Sequence, residues 1–217
     1  MASDLERLAR EVTAALPSLD LESRAVGLAV YRLLAAGTAA TPAAIAANSK
    51  MPAPHVAALL TSLPTASLER GEVTAFLGLQ REPGQHQITC SAPRRGAWCA
   101  WDTLFLPALV GTPARVESRC PVSGTLVRMV VDPRDGVREV SPAGTVLSFL
   151  DRPAPYSGAV QAEFCRWIHF LAGDAEAEAW INANASGNEP PPMVALSLAE
   201  GVELGRRTNA MIFGASR

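Results

Sequence analysis

Cys99 and Asp102 are the first pair whose types and spacing suggest chemistry. Residues 98–106 read as one short, very apolar helix ended at Pro107 or shortly beyond. Positions three apart on a helix face the same way, with Cβ atoms roughly 5–6 Å apart, so a thiol and a carboxylate become neighbours. Trp98, Ala100, Trp101, Leu104, Phe105 and Leu106 surround them with apolar surface, which would desolvate the carboxylate and push its pKa upward. Asp102 is therefore a candidate proton carrier. In the competing reading, Asp102 bonds local backbone and Cys99 is a small core residue, both common habits of these residue types.

The other thiols carry less. Cys120 opens Cys120-Pro121-Val122-Ser123-Gly124, the outline of half a zinc knuckle with Ser123 where a second cysteine would stand. A knuckle needs two ligands at that turn, and no Cys-x-x-Cys pair occurs among the four cysteines. Cys120 and Cys90 are accordingly read as structural. Cys165 precedes Arg166-Trp167-Ile168-His169-Phe170. If residues 166–171 form a strand, Cys165 and His169 are separated by about 13 Å, too far for a Cys-His nucleophile. His169 is then a core histidine.

The elements that must position these groups follow from pattern and punctuation. Residues 21–36 form an amphipathic helix through Val26, Ala29, Val30, Leu33 and Leu34, stopped by Gly37. A second helix opens at Thr41-Pro42, and a third starts near Pro54. Residues 73–79 alternate as a strand, with 85–90 as its partner across Pro83-Gly84. Three helices and a hairpin are the order of a winged helix. Its third helix offers no Lys or Arg and only His55, whereas phosphate contacts need cations, so DNA binding is not expected. Residues 91–96 read as a loop. Residues 114–118, 125–131, 137–140, 145–150 and 166–171 read as strands, residues 174–184 as a helix capped by Asp174, 184–192 as an exposed loop, and 198–211 as a last helix. The expected fold class is α+β: a winged-helix-like module over residues 1–80, then a core over 81–217 built on a small mixed sheet with flanking helices.

Composition narrows the function. With 217 residues, 48% hydrophobic and 18% charged, the chain can build a packed core. A net charge of -2 gives no general pull toward nucleic acid or an anionic membrane. No window approaches the roughly 18 apolar residues of a spanning helix, and residues 1–10 lack the order of a signal peptide. A cytoplasmic protein is expected, whose cysteines are free thiols, ligands or nucleophiles rather than disulfides.

The run from Ala97-Trp98-Cys99-Ala100-Trp101-Asp102 to Pro107-Ala108-Leu109-Val110-Gly111, followed by Ala114-Arg115-Val116-Glu117-Ser118-Arg119-Cys120 and Gly124, resembles the central signature of the organomercurial (alkylmercury) lyases. Ser141-Pro142-Ala143-Gly144 and Phe164-Cys165 with His169-Phe170 resemble the family's second block. The resemblance implies that Cys99 and Cys165 are the mercury-binding catalytic cysteines and Asp102 the catalytic aspartate beside the same mercury. It implies that Cys120 is structural. Two positions depart: Trp101 stands where the family often has a smaller aliphatic residue, and Arg166 where some members have a further cysteine.

The implied chemistry suits these groups. Mercury is soft and prefers sulfur ligands, and thiolates push electron density onto it while a nearby acid protonates carbon. Moving a thiol proton to a carboxylate is uphill by roughly 6 kcal/mol with ordinary pKa values, a cost that mercury capture offsets. Trp98, Trp101, Phe105 and Phe164 are expected to wall the site against water and to accept methyl, alkyl or aryl groups. The resemblance implies no organic cofactor and no permanent metal, with Hg(II) passing to cellular thiols or to mercuric reductase. The alternatives are a winged-helix regulator that senses a soft metal through Cys99 and Cys165, and a mercury-binding protein without turnover.

Overall fold

The computed structural model describes residues 2–91, 93–153, 159–185 and 192–214. Ala92 of the expected 91–96 loop, and residues 186–191 of the expected 184–192 loop, lie outside the described residues. Helix α1 (Ala2–Ala15) buries Leu8, Ala9 and Val12. Helix α2 (Leu21–Ala36) starts where Asp20 accepts from Ser23 N–H and stops at Gly37, φ 78°, as the sequence predicts. Helix α3 (Pro42–Ser49) opens with Thr41 accepting from Ala44 N–H, and α4 (Ala53–Ser62) follows.

The strands β1 (Ser67–Glu69), β2 (Glu72–Phe76) and β3 (Leu79–Gln80) come next. The expected strand over 73–79 is thus two strands, folded back at Leu77-Gly78 with positive φ at both residues, the signature of a two-residue hairpin. The expected partner also changes. Strand β4 (His86–Thr89) pairs with β5 (Arg95–Ala97) and β6 (Ala114–Arg119), while β2 pairs with β3 and β1. Arg95 and Gly96, expected in a loop, lie in β5 because β4 pairs with both and β3 pairs with Gly96 from the other side.

Helix α5 (Asp102–Val110) precedes β6, and β7 (Leu126–Asp132), β8 (Gly136–Ser141) and β9 (Val146–Leu150) follow it. Then come α6 (Val160–Glu163), a 3-10 turn (Cys165–Trp167), β10 (Phe170–Leu171), α7 (Asp174–Asn184), β11 (Met193–Ser197) and α8 (Leu198–Phe213). The expected strand over 166–171 is therefore mostly turn. Asp174 is the first residue of α7 and Gly173 its cap, without a side-chain bond. Ser197 and Glu200 form a capping box for α8.

The fold is α+β, and its sheets are larger and more uniform than the small mixed sheet expected. One has eight strands in the order β1-β2-β3-β5-β4-β6-β7-β8 and one has three, β10-β9-β11. Every pair of named strands is antiparallel. Strand β6 alternates buried Ala114, Val116 and Ser118 with outward Arg115, Glu117 and Arg119. Two apolar clusters, one around α5, β7, β9 and α8 and one around α2 to α4, both pack against Leu16 and Phe105. Helices α5 and α8 approach closely because Gly205 lacks a side chain: a Cβ there would lie 2.5 Å from Phe105 Cβ.

Candidate active site

Cys99 lies in the turn between β5 and α5 rather than on a helix, since α5 begins only at Asp102. The helix expected over 98–106 therefore starts four residues late, yet thiol and carboxylate remain neighbours. Asp102 Oδ2 accepts the Cys99 backbone N–H at 2.7 Å, which folds the turn back over the first residue of the helix. This is the local backbone bond of the competing reading, and it coexists with the chemical one.

Backbone bonds bring the distant Cys165 to the same place. Ala100 N–H donates to Ile168 O at 3.2 Å, and Ile168 N–H donates to Cys165 O at 3.1 Å. The turn itself is pinned from β9: Ser148 Oγ donates to Trp167 O at 2.7 Å and accepts His169 N–H at 2.9 Å. His169 Nε2, taken as the protonated nitrogen, donates to Arg166 O at 2.9 Å. His169 is buried, with its ring centroid 5.4 Å from His86 and 4.8 Å from Trp180. It is a core histidine that braces the Cys165 turn.

As a result Cys99 Sγ, Cys165 Sγ and an Asp102 carboxylate oxygen lie within 4.8 Å of one another, all buried. Burial raises the Asp102 carboxyl to about 6, against the opposing hydrogen bonds from Cys99 and Trp98. Burial also lifts the Cys99 thiol well above its ordinary value, and its hydrogen bond to Cys165 adds to the rise. The same bond favours the Cys165 thiolate, but burial and the Asp102 charge together outweigh it and leave that thiol raised. Both thiols are therefore protonated at neutral pH until something stabilises the thiolate. Two sulfurs and one oxygen around a point form a soft-metal site with an acid beside it.

The other cysteines stay outside this group. Cys120 is buried beside Leu171 and Ala177. Burial raises its pKa, but hydrogen bonds from Ser123, Ala172 and Val122 outweigh this and hold the thiol below its ordinary value. Cys90 is pushed up to about 11 by burial.

A cavity opens onto Asp102 and Cys165, walled by Trp98, Trp101, Phe105 and Phe164 as expected from the sequence. Tyr31 and Gly78, which the sequence reading did not single out, also line it. Tyr31 Oη donates to Leu77 O at 2.7 Å, and Trp98 N–H donates to Gly78 O at 2.9 Å. These bonds hold the Leu77-Gly78 turn against the carboxylate, so that a Cβ on Gly78 would lie 2.6 Å from Asp102 Cγ. The available signal was a glycine interrupting an otherwise alternating run, which marks a turn or a close approach.

A sequence model of the alkylmercury lyase family matches residues 79–209. An alkylmercury lyase from Streptomyces lividans is 35% identical over 187 residues, covering 85% of this chain and 82% of the relative. One from Bacillus cereus is 34% identical over 177 residues, covering 82% and 77%. A crystal structure described as the mercury-bound form of MerB2 superposes with a TM-score of 0.71 at 20% identity, covering 97% of this chain and 99% of that one, and so shares the fold.

Proposed function

Because the chain belongs to the alkylmercury lyase family of enzymes, we propose that it cleaves the carbon–mercury bond of organomercurials to a hydrocarbon and Hg(II). The observation that carries this reading is the convergence of Cys99, Cys165 and Asp102 within 4.8 Å.

An organomercurial enters as R–Hg–X, where X is a thiolate. One of the two thiols displaces X, which leaves as HX with that thiol's proton. The second thiol gives its proton to Asp102 and adds to mercury as thiolate. Asp102, buried and raised to about 6, can hold that proton near neutrality and return it. The electron pair of the breaking C–Hg bond takes the proton, releasing R–H. Hg(II) stays on the two sulfurs and Asp102 is again a carboxylate. The sum is R–Hg–X plus two thiols giving R–H, HX and a mercury dithiolate. A preformed dithiol and acid in a water-poor wall supply proximity and electrostatic stabilisation together.

External thiols or a mercuric reductase would then extract Hg(II), with no cofactor of the enzyme's own, in cytoplasmic detoxification. Among the described residues no helix is long and apolar enough to cross a membrane. Residues 1–80 are proposed to act as a winged-helix-like structural module that lends Tyr31 and Gly78 to the wall of the 81–217 core. A DNA-reading regulator finds no support in α4, which has no Lys or Arg and whose His55 pairs with Glu22 at 3.0 Å. Sequestration alone would need sulfur but no acid. The test is incubation with methylmercury and with phenylmercury in excess thiol, followed by quantification of methane and benzene. Mercury uptake with neither hydrocarbon released would favour sequestration.

A further inference from the structure

The cavity that reaches Asp102 and Cys165 has a free volume of about 30 Å³. A water needs roughly 10–15 Å³ of such space, and an engineered cavity that binds benzene measures about 150 Å³. A methyl group matches the available room, while a phenyl ring or long chain requires the walls to move.

One firmly held wall is Trp101. Its ring packs edge-on against Phe105, Phe149 and Phe164, with centroids 4.8, 5.2 and 6.1 Å away. Its Nε1–H donates to Gly201 O at 2.9 Å, a buried bond. Swinging the indole aside would leave its N–H unpaired in apolar surroundings. The acceptor is equally fixed. A Cβ on Gly201 would lie 2.8 Å from Leu104 Cδ1 and 3.0 Å from Leu147 Cδ2, so α8 is seated tightly over α5 and β9 at that point.

We propose that Trp101 is a specificity-determining residue that restricts this enzyme to organomercurials with small alkyl groups, methylmercury and ethylmercury, against longer alkyl and aryl groups. The proposal rests on the cleavage reading above and refines its substrate class. One extra methylene against a rigid apolar wall commonly changes discrimination by about tenfold or more.

The test measures kcat/KM for methyl-, ethyl-, n-butyl- and phenylmercury with excess thiol, by headspace quantification of methane, ethane, butane and benzene from the full chain. The three alkyl substrates share one bond chemistry and differ in size. In the wild type kcat/KM should fall about tenfold or more from methyl to n-butyl. Trp101→Leu should flatten that fall and raise benzene release relative to methane. Trp101→Phe, an intermediate truncation, should move the same ratios less, and it stands in if the leucine variant does not fold. Equal kcat/KM for methyl and n-butyl in the wild type overturns the proposal. So do folded variants that lower all four substrates alike, because a merely structural tryptophan leaves the ratios unchanged. Absence of hydrocarbon from every substrate would instead defeat the cleavage reading itself.

Discussion

Gly78 and Asp102 sit in van der Waals competition for one space: the carboxylate occupies the place where any larger residue at 78 would put its Cβ. Gly78 also has φ 96°, a backbone conformation that side chains disfavour. The hairpin end of β2 and β3 therefore shapes the acid of a site formed much later in the chain. Gly78→Ala should displace Asp102 and slow hydrocarbon release about tenfold or more, roughly 1.4 kcal/mol in the barrier. Because the sulfurs are untouched, Hg(II) should still bind one per chain. Single-turnover release, set beside a mercury titration, checks this.

The three buried cysteines separate by position. Cys99→Ala and Cys165→Ala should each abolish turnover, since either removes one of the two sulfurs that converge with Asp102. Cys120→Ala removes a thiol held in its own turn by Ser123, Val122 and Ala172. It should lower stability by about 1–3 kcal/mol and leave the site assembled. Full turnover in either of the first two variants would remove the two-thiolate mechanism.

Asp102→Asn keeps an oxygen to accept Cys99 N–H but carries no transferable proton. Organomercurial binding should persist while hydrocarbon release falls by about 100-fold or more, the usual scale of a lost general acid. Normal release would assign the proton to another group.

The same carboxyl makes stability depend on pH. Its folded pKa of about 6 lies above the ordinary value of 3.8 because burial favours the neutral form. Its contribution is therefore fully present below pH 3.8 and is lost as pH rises through 6. The loss is roughly 3 kcal/mol. Asp102→Asn lacks this dependence, so its melting temperature should exceed the wild type's near pH 8 and the gap should close toward pH 4. A constant gap across that range would show that the carboxyl is not strained by burial.

Gly205→Ala tests the seat of α8. The added methyl would meet Phe105, forcing α5 and α8 apart at a cost of about 1–3 kcal/mol. Urea unfolding should show the loss with an unchanged m-value.

Much of the local structure could be read from residue order. Thr41 and Gly37 mark helix ends by chemistry confined to a few neighbouring residues, and the alternation in β6 and β7 follows from which face is buried. Errors came where a long-range partner overrode a local pattern. Val73 to Leu79 alternates well enough for one strand, but pairing of Phe76 with Leu79 turns it back. Arg95 and Gly96 become strand through β4, with β3 pairing Gly96 from the other side. The apolar run after Cys165 suits a strand, yet Ser148 and His169 hold its carbonyls in a turn.

Residue types and spacing were sufficient to nominate Cys99 and Asp102 as a thiol and carboxylate pair, whereas Cys165 and the mercury chemistry entered through the resemblance to the alkylmercury lyases. That the three meet is a tertiary fact. The Ala100–Ile168 backbone bond and the brace from β9 bring Cys165 to Cys99, contacts between segments far apart in the chain that no local spacing encodes. The same holds for the confinement of Asp102 by Gly78 and for the seating of the cavity-lining Trp101 on Gly201. Such contacts are chosen when the whole core packs at once, so side-chain chemistry can be anticipated from sequence while its clearances cannot.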